Sequence, residues 1–312
     1  MAALNIQNLE RATEAVGLAK VRSSEIRMAA SNVQYQKMEL YNTTGEIQAY
    51  AWPGNVHEFY QLEDNATVRV QGITKMLPYA NRLCIDIYDI LPVAPDQDNP
   101  IELMPFPEGC KLDDVQDLIR VMNDLKSPSL KKFIYDVFSD YELATAFITG
   151  KGSFDGHHHQ KGGLLRHSLE NANRIKKIEG VEQHEQEVGI VAALLHDIGK
   201  TQETYNNPER KYLLVKHDVR SLELLAGPLK TLDKNWRSGA ELFRACISHH
   251  LSRNSLRNVH LPRIVQEVHI ADEMSTAGYK EQYVYSGMKN GQRYAKEFGE
   301  TFIRCLPDNY QN

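Results

Sequence analysis

The spacing of apolar residues changes along this chain, and that change constrains the fold more than any other feature. Between residues 20 and 93, short runs such as 36–41, 47–52 and 67–73 alternate apolar and polar residues, a pattern typical of half-buried strands. After Lys111, apolar residues recur every three or four positions, which indicates amphipathic helices. The sequence therefore predicts a strand-rich N-terminal part followed by an entirely helical part.

A proline-rich segment separates the two patterns. Residues 91–109 contain five prolines, and proline can continue neither a helix nor a central strand. Within the strand-rich part, the run Asn42-Thr43-Thr44-Gly45 is typical of a hairpin turn. We therefore expect an α+β multidomain protein: a small antiparallel β-barrel in residues 1–95, a linker and helical connector in residues 96–150, and a larger all-α domain in residues 151–312.

The composition excludes several classes of protein. With 42% apolar and 25% charged residues, the chain is typical of globular proteins. A formal net charge of −5 argues against binding of nucleic acid by bulk electrostatics. The four cysteines show no Cys-x-x-Cys spacing, and no segment approaches the ~20 apolar residues of a membrane-spanning helix. We expect a soluble cytoplasmic protein with reduced thiols and no membrane partner.

Residue types that bind divalent metals recur on successive predicted helices. They are, in chain order, His167, His196, Asp197, His217, His249, His250 and Asp272. Imidazole and carboxylate groups suit ions such as Mn²⁺, Fe²⁺ and Zn²⁺, and a bridging aspartate can hold two ions ~3.5–4 Å apart. A single His-Asp pair is more often a helix cap, and a single histidine on an apolar face is more often a core residue. The convergence of the whole series favours a metal site.

This series, over residues 155–275, resembles the HD superfamily of metal-dependent phosphohydrolases, an all-helical fold. The resemblance implies that His167, His196, Asp197 and Asp272 are core ligands. It also implies that His217 and the His249/His250 pair are the extra ligands of members with two metals, and either histidine of the pair could bind. We expect two divalent ions that share Asp197 and a bridging hydroxide. Mn²⁺ is favoured, with Fe²⁺, Co²⁺, Mg²⁺ and Zn²⁺ as alternatives.

The N-terminal half narrows the resemblance. The run Gly45-Glu46-Ile47-Gln48-Ala49, the proline-rich linker and the entry at His157-His158-His159 are similar to the YhaM-type 3′-to-5′ exoribonucleases, which join an OB-fold to an HD domain. The resemblance implies an OB-like barrel that binds single-stranded RNA, or DNA, through aromatic and basic side chains. The candidates are Tyr50, Trp52, Lys37 and Arg82, with Tyr35, Tyr41, Tyr79, Arg69 and Lys75 beside them. We expect most of these aromatic residues to pack inside the barrel instead.

Three further residues are candidates for the reaction site. His158 and His159 are expected to contact substrate phosphate at the mouth of the pocket, and a solvated loop is the alternative. Lys200 follows the His196-Asp197 pair, and its ammonium is expected to stabilise charge on a phosphate in the transition state. The alternative for Lys200 is an exposed lysine at a helix end.

Two rival functions remain open. One is an HD nucleotide phosphohydrolase or cyclic-nucleotide phosphodiesterase, although the Gly-Tyr-Pro signature of cyclic-di-GMP enzymes does not follow the His249/His250 pair. The other is an adaptor that binds nucleic acid without catalysis, which the complete ligand series disfavours. The sequence leaves the metal, the preference between RNA and DNA, and the formation of a homo-oligomer open.

Overall fold

The computed structural model describes residues 2–77, 80–94, 98–153, 158–202, 217–252 and 260–305. For residues 249–252 it describes the backbone and not the side chains. The chain forms two compact units. The first contains Met1–Glu108, Ile119–Asp124 and Phe138–Ala144, and the second contains Gly109–Leu118, Leu125–Val137 and Thr145–Asn312. The domain boundaries at residues 95 and 150 stay predictions.

The first unit contains a closed five-stranded barrel. Its strands are β1 (Glu14–Met28), β2 (Gln34–Asn42), β3 (Gly45–Ala51), β4 (Thr67–Leu77) and β5 (Arg82–Pro92). The strand order is β1-β2-β3-β5-β4, with β4 returning to β1. All neighbours are antiparallel except β3 and β5, which are parallel. This Greek-key closure of five strands is OB-like, as the sequence predicts.

The alternation of the sequence builds the interior of this barrel. Met38, Leu40, Ala49 and Ile85 are all fully buried, as expected for one face of each strand. The predicted hairpin turn at residues 42–45 is confirmed, because Asn42 pairs with Gly45 and two residues lie between strands β2 and β3.

Two features close the barrel. The long strand β1 pairs with β4 through its first half and with β2 from Lys20 onwards, and a bulge between Val21 and Ser23 interrupts the pairing with β2. Gly72 lies at a second bulge, where a Cβ would be 2.6 Å from the carbonyl oxygen of Asp86. Only glycine allows β4 and β5 to approach each other this closely.

Eight α-helices follow the barrel within the described residues. They are α1 (Leu112–Asp124), α2 (Pro128–Phe138), α3 (Tyr141–Thr149), α4 (Gly163–Lys176), α5 (Gln183–Leu195), α6 (His217–Asn235), α7 (Arg237–Ser252) and α8 (Arg263–Gly287). A short 3₁₀ helix, Ile198–Gln202, lies between α5 and α6. None of these helices has both the length and the apolar character that a membrane crossing requires.

Helix α5 lies at the centre of the second unit. Residues 187–189 and 191–195 of this helix are all buried, so it is covered on every side, and it packs against α4, α7 and α8. Gly189 permits a close approach to α8, because a Cβ there would be 2.5 Å from the side chain of Ile264. The buried position of α5 fixes its C-terminal end, where His196 and Asp197 follow.

The expectation that everything after Lys111 is helical is wrong for residues 294–303. Strands β6 (Tyr294–Glu297) and β7 (Glu300–Ile303) form a hairpin. Its two turn residues, Phe298 and Gly299, have φ angles of 53° and 74°, and positive φ at both positions matches the right-handed twist of the strands. The strands are too short for a period-two pattern to stand out in the sequence, and Phe-Gly is not a common turn pair.

Candidate metal centre and aromatic groove

Four elements of the second unit bring the predicted metal ligands together. His167 lies on α4, His196 caps the C-terminus of α5 and precedes Asp197, and Asp272 lies on α8. His217 is the first residue of α6. His167 and Asp197 are almost completely buried, with 5% and 2% of their surfaces exposed. The packing around α5 therefore produces a polar cluster inside an apolar helical core.

The tightest part of the cluster is formed by His167, His196 and Asp197. The two Nε2 atoms are 3.3 Å apart, and they lie 3.4 and 3.3 Å from Asp197 Oδ2. Asp272 Oδ1 lies 3.0 Å from His167 Nε2 and 3.5 Å from His196 Nε2. Both imidazoles therefore direct the same ring nitrogen towards carboxylate oxygens.

These spacings fit a divalent ion. Ligand atoms about 2.1 Å from one ion lie ~3.0 Å apart in octahedral coordination and ~3.4 Å apart in tetrahedral coordination. The distances among the two Nε2 atoms and Asp197 Oδ2 are 3.3–3.4 Å. The donor types, two imidazoles and a carboxylate, are those that Mn²⁺, Fe²⁺ and Zn²⁺ accept. The His-His-Asp cluster can therefore hold a metal ion.

The two oxygens of Asp197 face different histidines. Oδ2 faces His167 and His196, whereas Oδ1 lies 3.2 Å from Nε2 of His217. Nε2 of His217 is also 2.8 Å from Asp218 Oδ1. Asp197 thus lies between two sets of nitrogen and oxygen atoms, an arrangement suited to a bridging ligand.

The electrostatics of the cluster favour added positive charge. Burial opposes ionisation of His196, but the charges and hydrogen bonds of Asp197 and Asp272 outweigh it and raise the His196 pKa to about 10. Burial acts in the opposite direction on Asp197, yet neighbouring His196 and Lys200 hold its pKa well below the ordinary value. The pKa of Asp272 is likewise lowered against burial by hydrogen bonds from the two histidines. Two carboxylates therefore remain ionised at this site although burial opposes their charge.

Neighbouring groups orient both core imidazoles. Nδ1 of His196 lies 2.8 Å from the carbonyl oxygen of Ala193, to which it can only donate. Nδ1 of His167 lies 3.3 Å from Ser275 Oγ, which donates to Glu170 Oε2 at 3.3 Å. A hydrogen bond at Nδ1 leaves Nε2 as the nitrogen available to a metal, as is common for metal-binding histidines.

Lys200 lies in the 3₁₀ helix that follows the ligand pair. Its Nζ donates to Asp197 Oδ2 at 2.6 Å and to the carbonyl oxygen of Gly152 at 2.9 Å. The ammonium is mostly buried and lines the same cavity as His167 and Asp272. This position differs from that of an exposed lysine at a helix end, and its predicted catalytic role stays a prediction.

Glycine permits the close packing around this cluster. A Cβ on Gly199 would be 2.2 Å from the carbonyl oxygen of His217, and a Cβ on Gly163 would be 1.9 Å from that of His158. Both distances are far below van der Waals contact. The start of α6 therefore touches the 3₁₀ helix directly, which brings His217 to Asp197.

The remaining predicted histidines have different positions. His158 is buried, with Nε2 3.1 Å from Glu170 Oε2 and its ring centroid 5.7 Å from that of His167, whereas His159 is exposed. His249 and His250 belong to the last turn of α7, but their side chains lie outside the described part of the chain, as does His157. The roles of all these residues stay predictions.

Several residues of this site are not among those predicted from the sequence. Ser275, Thr276 and Tyr279 follow Asp272 by three, four and seven positions, which places all of them on one face of α8. Glu170 follows His167 by three positions on α4, and that spacing is also visible in the sequence. Phe298 lines the cavity from the β6–β7 turn, and no sequence signal connects it to the ligands.

A separate groove lies on the barrel of the first unit. It has a volume of ≈530 Å³, and its walls include Tyr35, Tyr50, Trp52 and Lys75. The rings of Tyr35 and Trp52 are stacked with centroids 4.7 Å apart, and Tyr50 lies 6.1 Å from Tyr35. The walls of the groove come from β2 and β3 and also from β4, β5 and the end of β1. OB-folds bind oligonucleotides on the face formed by their second and third strands.

The other predicted barrel residues that the structure describes, apart from Lys75 and Tyr35, are not among the residues that line this groove. Lys37 pairs with Tyr50 across β2 and β3, and Arg82 begins β5 with its side chain exposed. Tyr41 is buried and donates to Asn65 Oδ1 at 2.6 Å, so its ring packs the barrel. Arg69 pairs with Asp89. Tyr79 lies outside the described residues.

Comparison with known protein families matches residues 164–277 to the HD domain. The helical part of the chain contains an HD domain. The match spans His167, His196, Asp197, His217 and Asp272. HD domains bind divalent metals, so the match supports a metal-dependent phosphohydrolase. No curated protein matches the chain significantly in sequence.

Three solved structures show distant similarity to parts of this chain. A replication protein A heterotrimer bound to single-stranded DNA is 24% identical over 28% of this chain and 63% of that chain, with a TM-score of 0.22. The second OB-fold domain of replication protein A from Methanococcus maripaludis is 18% identical over 30% of this chain and 96% of that chain, with a TM-score of 0.24. Asparaginyl-tRNA synthetase from Pyrococcus horikoshii, complexed with asparaginyl-adenylate, is 11% identical over 83% and 69% of the two chains, with a TM-score of 0.26. TM-scores this low carry no argument about function.

Proposed function

We propose that this chain hydrolyses phosphodiester bonds with two divalent ions, and that its substrate is single-stranded RNA, degraded from the 3′ end. The observation that carries the proposal is the position of Asp197, whose two oxygens face His167 and His196 on one side and His217 on the other. A carboxylate in this position can be shared by two ions, whereas a mononuclear site has no use for the second set of ligands.

The chain's own residues have separate roles in this proposal. His167, His196 and Asp272 would hold one ion, and His217 with His249 or His250 would hold the other, with Mn²⁺ as the favoured metal. Such ions supply Lewis-acid charge to a phosphoryl oxygen and make water acidic enough to react at neutral pH. The Lys200 ammonium lies beside the ligands, where negative charge on a phosphate would increase during the reaction.

The barrel supports a single-stranded substrate. The groove presents a stacked pair, Tyr35 and Trp52, together with Tyr50 and the ammonium of Lys75, which pairs with Asp86 in the same groove. Aromatic side chains beside basic groups bind single strands, because every base has a face that can stack. A chain with a net charge of −5 can therefore still bind a strand at a local site. The preference for RNA and the direction of degradation rest on the resemblance to YhaM-type enzymes alone.

Product analysis tests the proposal. A single-stranded RNA labelled at either its 5′ or its 3′ end is incubated with the full chain and Mn²⁺. The 5′ label should appear in progressively shorter products, and the 3′ label should be released at once as a mononucleotide. Asp197→Asn should abolish both signals, and Glu267→Gln, at a carboxylate of α8 that pairs with Arg263, should change neither. Hydrolysis of free nucleotides with no action on RNA would replace this proposal with the nucleotide phosphohydrolase alternative.

The groove is tested separately by strand binding. Trp52→Ala should weaken binding of the same RNA by about 5–150-fold, the equivalent of ~1–3 kcal/mol for one lost stacking partner. Tyr88 of β5 does not line the groove and provides the control, so Tyr88→Ala should leave binding unchanged. Equal effects of the two substitutions would reject the groove as the binding surface.

A further inference from the structure

The cavity at the metal centre has an aromatic side as well as a charged side. It has a volume of ≈310 Å³, and its walls include His167, Asp197, Lys200 and Asp272 together with Tyr279 and Phe298. This volume is at the small end of the range for ligand pockets, roughly 300–1,000 Å³. The cavity therefore suits a single planar group attached to a charged one.

The aromatic side extends outwards from the cavity along α8 and the β6–β7 turn. Ring centroids lie 6.2 Å apart for Tyr279 and Tyr283, and 5.5 Å apart for Tyr283 and Phe298. Tyr283 and Phe298 have 55% and 48% of their surfaces exposed, so both have ring surface available for stacking. Tyr279 lies seven positions after Asp272, a rise of ~10 Å along the helix and about the size of one nucleotide.

The hairpin is held against α8. Lys280 of α8 pairs with Glu300 of β7 at 2.7 Å, and the Tyr285 hydroxyl donates to the carbonyl oxygen of Ile303 at 3.0 Å. These contacts fix the turn beside the cavity. Phe298 occupies its position with a φ of 53°, a conformation that is unusual for a bulky residue and easier for asparagine or glycine. The turn does not favour phenylalanine at this position, so the contacts of the Phe298 ring with Tyr283 and with the cavity account for the residue better.

We propose that Tyr279 and Phe298 form a stacking site for the nucleobase next to the reacting phosphate, and that Tyr283 extends this site to a second base. The charged end of the cavity suits a phosphate and the aromatic end suits a base, and a nucleotide carries both groups. The inference rests on the proposed phosphodiester hydrolysis and adds how the substrate is positioned. It assigns a specificity role to the C-terminal hairpin, which lies beyond the residues matched to the HD domain.

Fluorescence of 2-aminopurine tests this site without requiring catalysis. A short single-stranded RNA with 2-aminopurine at its 3′ end is titrated with the full chain in EDTA, where stacking on an aromatic ring quenches the signal. Phe298→Leu keeps an apolar side chain but removes the aromatic face, so we expect it to lower the quenching and weaken binding by about 5–150-fold. Phe298→Trp keeps an aromatic ring, so this variant should quench the fluorescence and bind the RNA as the unmodified chain does.

Tyr294 of the same hairpin provides the control. It is 70% exposed and does not line the cavity, so Tyr294→Ala should quench and bind as the unmodified chain does. If the Phe298→Leu variant quenched the 2-aminopurine fluorescence as fully as the unmodified chain does, the inference would be overturned, because a purely structural role of Phe298 predicts that result. An equal loss in Tyr294→Ala would overturn it as well.

A parallel incubation of the unlabelled RNA with Mn²⁺ separates the two proposals. Quenching that depends on Phe298, without any hydrolysis, would support the stacking site and reject the proposed function. Hydrolysis without quenching that depends on Phe298 would reject the stacking site and leave the proposed function in place.

Discussion

Ser275→Ala is expected to weaken the binding of divalent metal while the helical part stays folded. The Ser275 hydroxyl lies 3.3 Å from Nδ1 of His167 and donates to Glu170 at 3.3 Å. Alanine removes the group that accepts from Nδ1, so the imidazole of His167 loses one restraint on its orientation. Nε2 would then spend less time directed at Asp197 and Asp272, and the ligand set would be less preorganised.

The geometry sets the size of this effect. Loss of a group that orients a metal-binding histidine typically lowers metal affinity by about 10–100-fold, or ~1.4–2.7 kcal/mol. Both contacts of Ser275, at 3.3 Å, are longer than the usual range for hydrogen bonds of their kind. We therefore expect the lower part of that interval, about 10–30-fold. Ser275 is only 3% exposed, and loss of its hydroxyl should also reduce the free energy of unfolding by about 1 kcal/mol.

Calorimetric titration with Mn²⁺ at neutral pH measures the affinity directly. Ser286→Ala is the matched control, because Ser286 lies on the same helix, is exposed, and donates to the carbonyl oxygen of Tyr283. It should bind Mn²⁺ as the unmodified chain does. Equal affinities of the Ser275 and Ser286 variants would refute the role assigned to the Ser275 hydroxyl.

Three further outcomes can be measured. Gly199→Ala should lower the free energy of unfolding by about 1–3 kcal/mol in chemical denaturation, because its Cβ would overlap the backbone of His217. Gly278→Ala, in open space on α8, should raise the free energy of unfolding by about 0.5–1 kcal/mol. Equal effects of the two substitutions would contradict the close approach of Gly199 to His217. Lys200→Ala should lower kcat on RNA by about 10–10³-fold with metal content unchanged, and unchanged kcat would remove Lys200 from the mechanism. Burial raises the pKa of Cys246 to about 12, so iodoacetamide in mildly alkaline buffer should modify exposed Cys305 and spare Cys246 until the chain is unfolded, as mass spectrometry would show.

The sequence predicts the barrel well because its strands obey a period of two. Buried residues such as Met38, Leu40 and Ile85 sit where alternation requires them, and the turn between β2 and β3 has residues that tolerate it. The parallel pairing of β3 with β5 is a long-range contact, and neither strand carries a signal for it. The same limit applies to β1, which pairs with two different strands.

The sequence identifies the candidate ligands but not the groups that orient them. His196 and Asp197 are adjacent, and their residue types alone indicate ligand chemistry. Ser275 and Glu170 become relevant only when α4 and α8 pack together, since a serine or a glutamate on a helix has no distinctive pattern. Phe298 depends on a hairpin that returns to α8, which local periodicity cannot predict.

Metal content of the full chain tests the central claim, that Asp197 is shared by two divalent ions. After loading with Mn²⁺ and removal of unbound metal, elemental analysis of the unmodified chain should give two ions per chain. Asp197→Asn should remain folded by circular dichroism and retain few or none, because the shared ligand loses its charge. A single ion in the unmodified chain, or two retained by Asp197→Asn, would contradict the claim.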